Sequence, residues 1–197
     1  MKAIMISIRP KYVADILNGK KTLEIRKTMP KCDLPIEVYI YCTKDKETLS
    51  YDVIPHDKNI VKGYSGFNDK DFDFNFMPLT KTDINNGYGW FAREHNLNGK
   101  VVGYFTLNKV EEHKHRPVPF PYNELCKNAC LTQEEIEDYA FAEGKGYQTL
   151  YAWHIDNLVI FDKPKELSEF KQMRADSCGI YYKSLTRASQ SYMFIEI

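Results

Sequence analysis

Two cations and a carboxylate follow closely after an early glycine. Lys21, Glu24 and Arg26 come after Gly19 with the spacing Lys-x-x-Glu-x-Arg. A carboxylate beside cations can orient a hydroxyl or take up a proton, and the cations can bind phosphate or stabilise developing negative charge. The same spacing is common on solvated surfaces, where ion pairs contribute little. Whether these residues form a site therefore depends on where their side chains meet.

A strand predicted over residues 22–26 decides this question. Side chains alternate between the two faces of a strand, so Glu24 and Arg26 share a face that Lys21 would not share if the strand included it. We expect a common site only if Lys21 lies in the turn before the strand. Residues 1–31 contain eight cations and two acids, a local balance of +6. This asymmetry favours an anionic ligand such as nucleic acid, although solvated charge is the simpler interpretation.

A second carboxylate, Glu143, falls at the end of a helix predicted from a Thr-x-x-Glu capping box at residues 132–135. Helical periodicity places Glu143 on the apolar stripe of Ile136 and Ala140. A carboxylate buried near a helix C-terminus needs a cation, because burial and the helix dipole both disfavour its charge. We expect Lys21 or Arg26 to supply it. Alternatively, the end of the helix turns Glu143 into solvent.

The elements around these residues predict an α+β fold. Apolar or alternating strands are expected at residues 3–8, 22–26, 36–43, 101–110, 150–161 and 191–197, with helices after residues 10, 132 and 164. More strands than helices, with a strand at each end, predict a small mixed β-barrel flanked by helices. We expect one domain over residues 1–197, with a loop-rich insertion at about 44–98 where periodicity fades.

Composition excludes several classes of protein. The chain has 27 Lys and Arg against 27 Asp and Glu, and it contains no apolar run long enough for a membrane span. Five cysteines in a chain of 197 residues favour reduced thiols, so we expect a cytoplasmic protein without membrane contact. His113, His115, Cys126 and Cys130 match no common zinc spacing. We therefore expect neither a metal nor a cofactor.

Two N-terminal motifs resemble a known family. Ser-Ile-Arg-Pro at residues 7–10 and Gly-Lys-Lys-Thr-Leu-Glu-Ile-Arg at residues 19–26 resemble the signature of ASCH domains, a family of the PUA-like superfamily. Segments 99–103 and 139–144, and Tyr-Ala-Trp-His-Ile at residues 151–155, look like later elements of prophage-type bacterial members. The resemblance spans most of the chain outside residues 44–98.

The resemblance implies a PUA-like barrel that holds RNA or a nucleotide in a cleft between barrel and helix. Cations of the cleft would meet phosphate, and Tyr39, Tyr41 or Trp153 would offer a stacking surface. The ligand-binding residues expected on this basis are Ser7, Arg9, Lys21, Glu24, Arg26, Trp153 and His154.

The resemblance also leaves an enzyme open. One bacterial branch removes acyl groups from modified cytidines with Lys, Thr and Glu, and another is linked to RNA cleavage. The lysine falls on Lys21 and the glutamate on Glu143, but Glu24 stands where the threonine would be. A hydrolase acting on acylated cytidine or single-stranded RNA would then use Glu143 as general base, Lys21 or Arg26 to stabilise negative charge, and Glu24 to orient a water or a ribose hydroxyl. A module that binds a protein partner through the insertion is a third possibility.

Overall fold

The computed structural model describes residues 2–57, 66–114, 122–177 and 179–197. The strands are β1 (Lys2–Ile8), β2 (Leu23–Arg26), β3 (Ile36–Cys42), β4 (Thr48–Pro55), β5 (Phe72–Leu79), β6 (Lys100–Leu107), β7 (Val110–His113), β8 (Phe141–Ala142), β9 (Gly146–Tyr147), β10 (Leu150–His154), β11 (Asp156–Glu166), β12 (Lys171–Asp176), β13 (Gly179–Ser184) and β14 (Tyr192–Glu196). The α-helices are α1 (Pro10–Leu17), α2 (Lys81–Asp83), α3 (Gly89–Glu94), α4 (Tyr122–Ala129) and α5 (Gln133–Ala140), with a π-helical turn at Ile84–Tyr88 and a 3-10 turn at Leu167–Glu169.

Two sheets organise the molecule. A seven-stranded sheet has the order β11-β6-β3-β1-β14-β12-β13, in which β1 and β3 are parallel and the other neighbours antiparallel. A three-stranded antiparallel sheet has the order β2-β10-β7. The predicted α+β class with a mixed sheet is confirmed. Among the described residues the strand order does not return on itself, so closure into a barrel stays a prediction.

Packing on the small sheet fixes the direction of its charged side chains. On one face, Leu23 and Ile25 of β2 pack with Leu125 of α4 and Ile136 of α5 in a buried apolar cluster. Because side chains alternate along a strand, the charged residues of β2 project from the opposite face. Trp153 of β10 belongs to the main core, with residues of β1, β3 and β6. The sheet thus lies between the helices α4 and α5 and the main core.

The insertion forms a β4–β5 hairpin followed by helical turns, and it packs against α1. Leu49 and Phe76 of the hairpin share a buried cluster with Val13 and Ile16 of α1. The Asn18 side chain donates to the Phe76 carbonyl at 2.7 Å and accepts from the Phe76 amide at 3.0 Å. These bonds tie the insertion to the end of α1. No helix within the described ranges is long and apolar enough to cross a membrane.

Candidate functional site

A cavity of about 790 Å³ opens where the end of β1, the start of α1, β2 and α5 meet the chain just before β14. Its wall also includes residues that follow β3. The lining residues are Ser7, Ile8, Arg9, Tyr12, Lys21, Glu24, Ile25, Arg26, Tyr41, Thr43, Lys44, Asp45, Leu131, Glu135, Asp138, Tyr139, Thr186, Arg187, Ala188, Ser189 and Gln190.

Three buried charges form the inner wall of this cavity. The side chains of Lys21, Glu24 and Arg26 are 2%, 10% and 9% exposed. Lys21 Nζ lies 3.4 Å from Glu24 Oε2, and Arg26 Nε lies 3.0 Å from Glu24 Oε1. Lys21 precedes β2, which begins at Leu23, so the condition for a shared cluster is met. One carboxylate therefore lies between two cations at the cavity wall.

Backbone carbonyls hold both cations in place. Lys21 Nζ donates to the Ala129 carbonyl at the end of α4, at 2.6 Å. Arg26 Nη2 donates to the Ser7 carbonyl at 2.8 Å, and Nη1 donates to the Ser191 carbonyl at 3.5 Å. Buried ions are tolerated when hydrogen bonds and opposite charges compensate them. The cluster therefore joins β2 to α4, β1 and the start of β14, and its geometry is fixed by the fold.

Two tyrosines add aromatic surface to the wall. Lys21 Nζ lies 5.4 Å from the ring centroid of Tyr12, and Lys27 Nζ lies 5.0 Å from that of Tyr139. Burial raises the pKa of Tyr12, and the nearby Glu135 carboxylate raises it further. Burial also raises the pKa of Tyr139, against the opposing influence of Arg26. Both hydroxyls therefore stay protonated at neutral pH and can donate hydrogen bonds to a ligand.

The rim of the cavity has charge of both signs. Five lining cations against four lining acids give a formal balance of +1. Arg9 Nε lies 3.8 Å from Asp45 Oδ2 at the rim. Lys11 Nζ donates to Glu135 Oε1 at 3.3 Å. A hydrogen bond from the Thr132 amide, reinforced by Lys11, holds the pKa of Glu135 below its usual range. Because these acids already contact cations, the exposed Lys44 and Arg187 side chains are the rim cations most available to an anionic ligand.

The structure brings the N-terminal candidates together at one cavity. Ser7, Arg9, Lys21, Glu24 and Arg26 all line the cavity. The Ser7 hydroxyl itself donates to the Ser189 carbonyl, so Ser7 holds the loop that forms the opposite wall.

Two other predicted ligand contacts lie elsewhere. Trp153 is fully buried in the main core, so it offers no stacking surface in the cavity. His154 Nε2 lies 3.0 Å from Glu111 Oε1, in a separate charged cluster on the same sheet. Tyr39 is also buried, while Tyr41 lines the cavity. Both residues predicted as contacts, Trp153 and His154, belong to β10, which pairs with β2, but neither lines the cavity.

The predicted placement of Glu143 on a buried helix face is wrong. Helix α5 ends at Ala140, and Phe141 already has extended backbone angles (φ −71°, ψ 139°). The chain then forms the β8–β9 hairpin, and Glu143 is exposed just after β8. Glu143 is not among the lining residues of the cavity. The cations Lys21 and Arg26 pair with Glu24 instead.

Sequence reasoning missed several lining residues. Tyr12 and Glu135 lie on helices whose apolar stripes are easily recognised, but their polar sides carry no motif. Thr186–Gln190, written here as the 186–190 loop, lies between β13 and β14 and has no local pattern that indicates a site. Only the tertiary pairing of β14 with β1 brings this loop to the cavity.

The histidines and cysteines considered for zinc do not form a metal site in the part of the chain that the structure describes. His113 and Cys126 lie within it, and no group of three metal-ligating side chains is found there. His115 falls outside the described residues.

Comparison with known proteins finds similarity in structure only. No protein-family model matches the chain. No curated protein matches its sequence. A crystal structure from Zymomonas mobilis is 17% identical, with a TM-score of 0.46, and the match covers 84% of this chain and 73% of that one. A tyrosine-to-phenylalanine mutant of that protein gives 17% identity and a TM-score of 0.46, with 85% and 77% covered. Both are ASCH proteins.

Proposed function

We propose that the cavity binds RNA or a nucleotide. The observation that supports this most directly is the buried Lys21–Glu24–Arg26 cluster at the wall of the cavity. Burying three charges is costly, and apolar residues of similar volume often serve stability equally well. A cluster of this kind therefore indicates a role beyond stability, and its contact with the cavity suggests recognition of a polar ligand.

The size and lining of the cavity fit a nucleotide. Sites for small molecules commonly enclose about 300–1,000 Å³, and the cavity of about 790 Å³ lies within that range. Tyr12 and Tyr139 provide aromatic surface on which a base can stack. The exposed cations Lys44 and Arg187 at the rim can meet a phosphate. Together these groups complement a base, a sugar and a phosphate.

Glu24 gives the site a hydrogen-bond acceptor of fixed direction. The carboxylate lies between Lys21 and Arg26, and its contacts with both cations fix its direction. Arg26 Nε is close to Glu24 without the alignment of a hydrogen bond. Remaining acceptor capacity on Glu24 can therefore be used by a ribose hydroxyl or by the exocyclic amine of a base.

Binding can be tested at the rim without disturbing the buried cluster. We would titrate the full chain with labelled cytidine monophosphate and with a single-stranded RNA at several salt concentrations. Arg187→Ala and Lys44→Ala are each expected to weaken RNA binding several-fold and to make the salt slope shallower by about 0.7 per lost phosphate contact. Lys81→Ala, an exposed cation of the insertion outside the cavity lining, is the matched control. Affinity that is independent of salt and of both rim variants would contradict the proposal.

A hydrolase acting on acylated cytidine or single-stranded RNA is the second candidate, favoured by the 3.4 Å approach of Lys21 Nζ to Glu24 Oε2 at the cavity wall. Glu24 would orient the attacking hydroxyl or water, and Lys21 would stabilise the developing oxyanion. Incubation with acylated cytidine and with single-stranded RNA, followed by mass spectrometry, tests this. Product that is formed by the wild type and lost in Glu24→Gln, while binding persists, would support the enzyme. If no product forms from either substrate, the hydrolase proposal is contradicted and only the binding proposal remains.

A further inference from the structure

The hairpin β12–β13, written here as the arm, extends from the edge of the large sheet. Within the described residues, β12 pairs with β14 only at Lys171 opposite Glu196, and β13 is the last strand of the sheet. Every residue of β13 is exposed. The base of the arm is firmly held, since Phe170 and Leu185 are buried in one cluster and the Leu185 amide donates to the Phe170 carbonyl at 2.9 Å. A fixed base with an exposed hairpin is suited to reaching a large ligand.

The register of the arm separates two faces. Gln172 lies opposite Lys183, Arg174 opposite Tyr181 and Asp176 opposite Gly179, so these six residues share one face, with two cations and one acid. We call it the cationic face.

The other face of the arm is mainly apolar. It contains Met173 opposite Tyr182 and Ala175 opposite Ile180, with Lys171 opposite Ser184 at the base of the arm. Unpaired edge strands with exposed apolar residues invite association, which natural proteins usually limit with charge. Arg174 and Lys183 on the cationic face can limit such association. Because they also lie beside the ring of Tyr181, they can in addition bind a ligand.

The arm and the loop that follows it carry mostly positive charge. Residues 171–190 contain four cations and one acid, whereas the whole chain has equal numbers of both. Arg174 and Lys183 are exposed, and neither forms an ion pair with the side chains that the structure describes. Tyr181, on the same face, is 45% exposed. Exposed cations interleaved with an aromatic ring are the features that bind single-stranded nucleic acid without regard to sequence.

The arm leads directly to the cavity. β13 ends at Ser184, and Arg187 of the following 186–190 loop lines the cavity. The carbonyl of Ser191, just past the loop, accepts from both Arg26 and the Ser7 amide. The loop is therefore held by the buried cluster at one end and by the base of the arm at the other. Arg187 lies along the chain between the two surfaces.

We infer that the cationic face of the arm binds the backbone of a single-stranded RNA whose one nucleotide occupies the cavity. This rests on the proposed function and narrows its ligand from nucleotide to oligonucleotide. Arg174 and Lys183 contact phosphates outside the cavity, and Tyr181 stacks on a flanking base. The cavity selects one nucleotide, and the arm supplies affinity that a mononucleotide cannot gain.

The test compares two ligands on one double variant. The full chain is titrated with labelled cytidine monophosphate and with a labelled single-stranded RNA of about 12 nucleotides, within the range of known single-strand sites. In Arg174→Ala with Lys183→Ala, RNA affinity is expected to fall about tenfold and its salt slope to become shallower by about 1.4, from two lost contacts. Mononucleotide affinity should stay within about twofold. Lys70→Ala with Lys81→Ala, two exposed cations of the insertion, is the matched control and should change neither.

The outcomes separate the arm from the cavity. RNA that binds no tighter than the mononucleotide, or binds equally well to the arm variant, overturns the arm inference and leaves the cavity proposal intact. RNA binding that depends on the arm, without any mononucleotide binding, overturns the cavity proposal and, with it, the part of the inference that places one nucleotide in the cavity. A wild-type dimer that Ile180→Ser dissociates in sedimentation, with RNA affinity unchanged, identifies the arm as an interface between copies and overturns the inference.

Discussion

Two carboxylates on one three-stranded sheet lie beside cations, yet they have different surroundings. Glu24 of β2 lies between Lys21 and Arg26, with all three side chains at most 10% exposed. Glu111 of β7 contacts Lys109 at 2.5 Å and His154 at 3.0 Å, but these side chains are 36%, 61% and 29% exposed in that order. The central strand β10 pairs with both β2 and β7. The two clusters have similar charges, but the Glu24 cluster is buried and the Glu111 cluster is partly exposed.

Burial determines what each cluster can do. Water screens the Glu111 cluster, so its ion pairs contribute little and exert weak directional control. The Glu24 cluster is shielded from solvent on the protein side and open to a cavity, so its charges act at full strength on a ligand that displaces water. The Lys-x-x-Glu-x-Arg spacing indicates a site here because helices α4 and α5 cover one side of β2 and a cavity lies on the other.

The largest expected effect is on stability. Lys21→Ala removes a buried cation and leaves the Glu24 carboxylate with one partner, so we expect a loss of about 3–5 kcal/mol in the free energy of unfolding. Lys109→Ala removes the matching lysine of the exposed cluster and should cost less than about 1 kcal/mol. Urea unfolding followed by circular dichroism measures both. Equal losses in the two variants would show that burial is not the difference between the clusters.

Replacing the whole buried cluster separates stability from binding. In a variant with Lys21→Met, Glu24→Leu and Arg26→Met, no charge is left unpaired, so stability should return to within about 2 kcal/mol of the wild type. Ligand affinity should nevertheless fall about 100-fold, because the polar wall of the cavity is gone. Urea unfolding and titration with labelled cytidine monophosphate give the two readouts. A stable triple variant that still binds would show that the buried charges do not contact the ligand.

Local patterns allowed the buried cluster to be predicted in part. Alternation along residues 22–26 places Glu24 and Arg26 on one face, and the start of β2 at Leu23 leaves Lys21 free to join them. The sequence could not show that the face opposite Leu23 borders a cavity. The opposite wall of the cavity includes the 186–190 loop, which is more than a hundred residues away in sequence. The pairing of β14 with β1 brings this loop to the cavity.

The end of α5 shows why Glu143 was misplaced. Phe141 and Ala142 carry no helix-breaking signal, so periodicity extends the stripe up to Gly144. In the structure the Phe141 amide donates to the Glu137 carbonyl and ends the helix, and Gly144 and Gly146 adopt φ values of +74° and +67° in the following hairpin. The Gln148 amide donates to the Ala140 carbonyl at 2.8 Å, a contact made by the returning strand. Nonlocal pairing therefore determines where the helix ends.

Gly103 lies inside β6. A glycine within a buried strand predicts either a bend or a close backbone approach. A Cβ at this position would lie 2.2 Å from the Val159 carbonyl oxygen of β11, so the residue permits close approach of two strands. The sequence pattern alone leaves both reasons open, and the position of the neighbouring strand decides between them.

Changes in the exposed Glu111 cluster should have little effect on ligand affinity. Glu111→Ala removes the carboxylate that His154 contacts, and we expect a loss of less than about 1 kcal/mol in stability. Affinity for labelled cytidine monophosphate should stay within about twofold, because neither residue lines the cavity. The titration used for the rim variants measures this. A large loss of affinity would show that His154 contributes to ligand binding, as the family resemblance predicts.

The smallest expected effect distinguishes the clusters by their response to acid. Hydrogen bonds from Lys109 and then His154 hold the pKa of Glu111 below its ordinary value of 4.5. A carboxyl group whose pKa is lower in the folded than in the unfolded state stabilises the fold above its unfolded pKa, and this contribution disappears as the pH falls through the folded pKa. Because about a third of the Glu111 side chain is exposed, solvent screening limits the contribution to about 0.5 kcal/mol. Urea unfolding of wild type and Glu111→Gln should therefore differ by about that amount at pH 7 and converge as the pH falls through the folded pKa of Glu111, which lies below 4.5. A difference that persists in acid would mean that packing of Glu111, and not its charge, provides the stabilisation, since a protonated carboxyl group and an amide are then equally neutral.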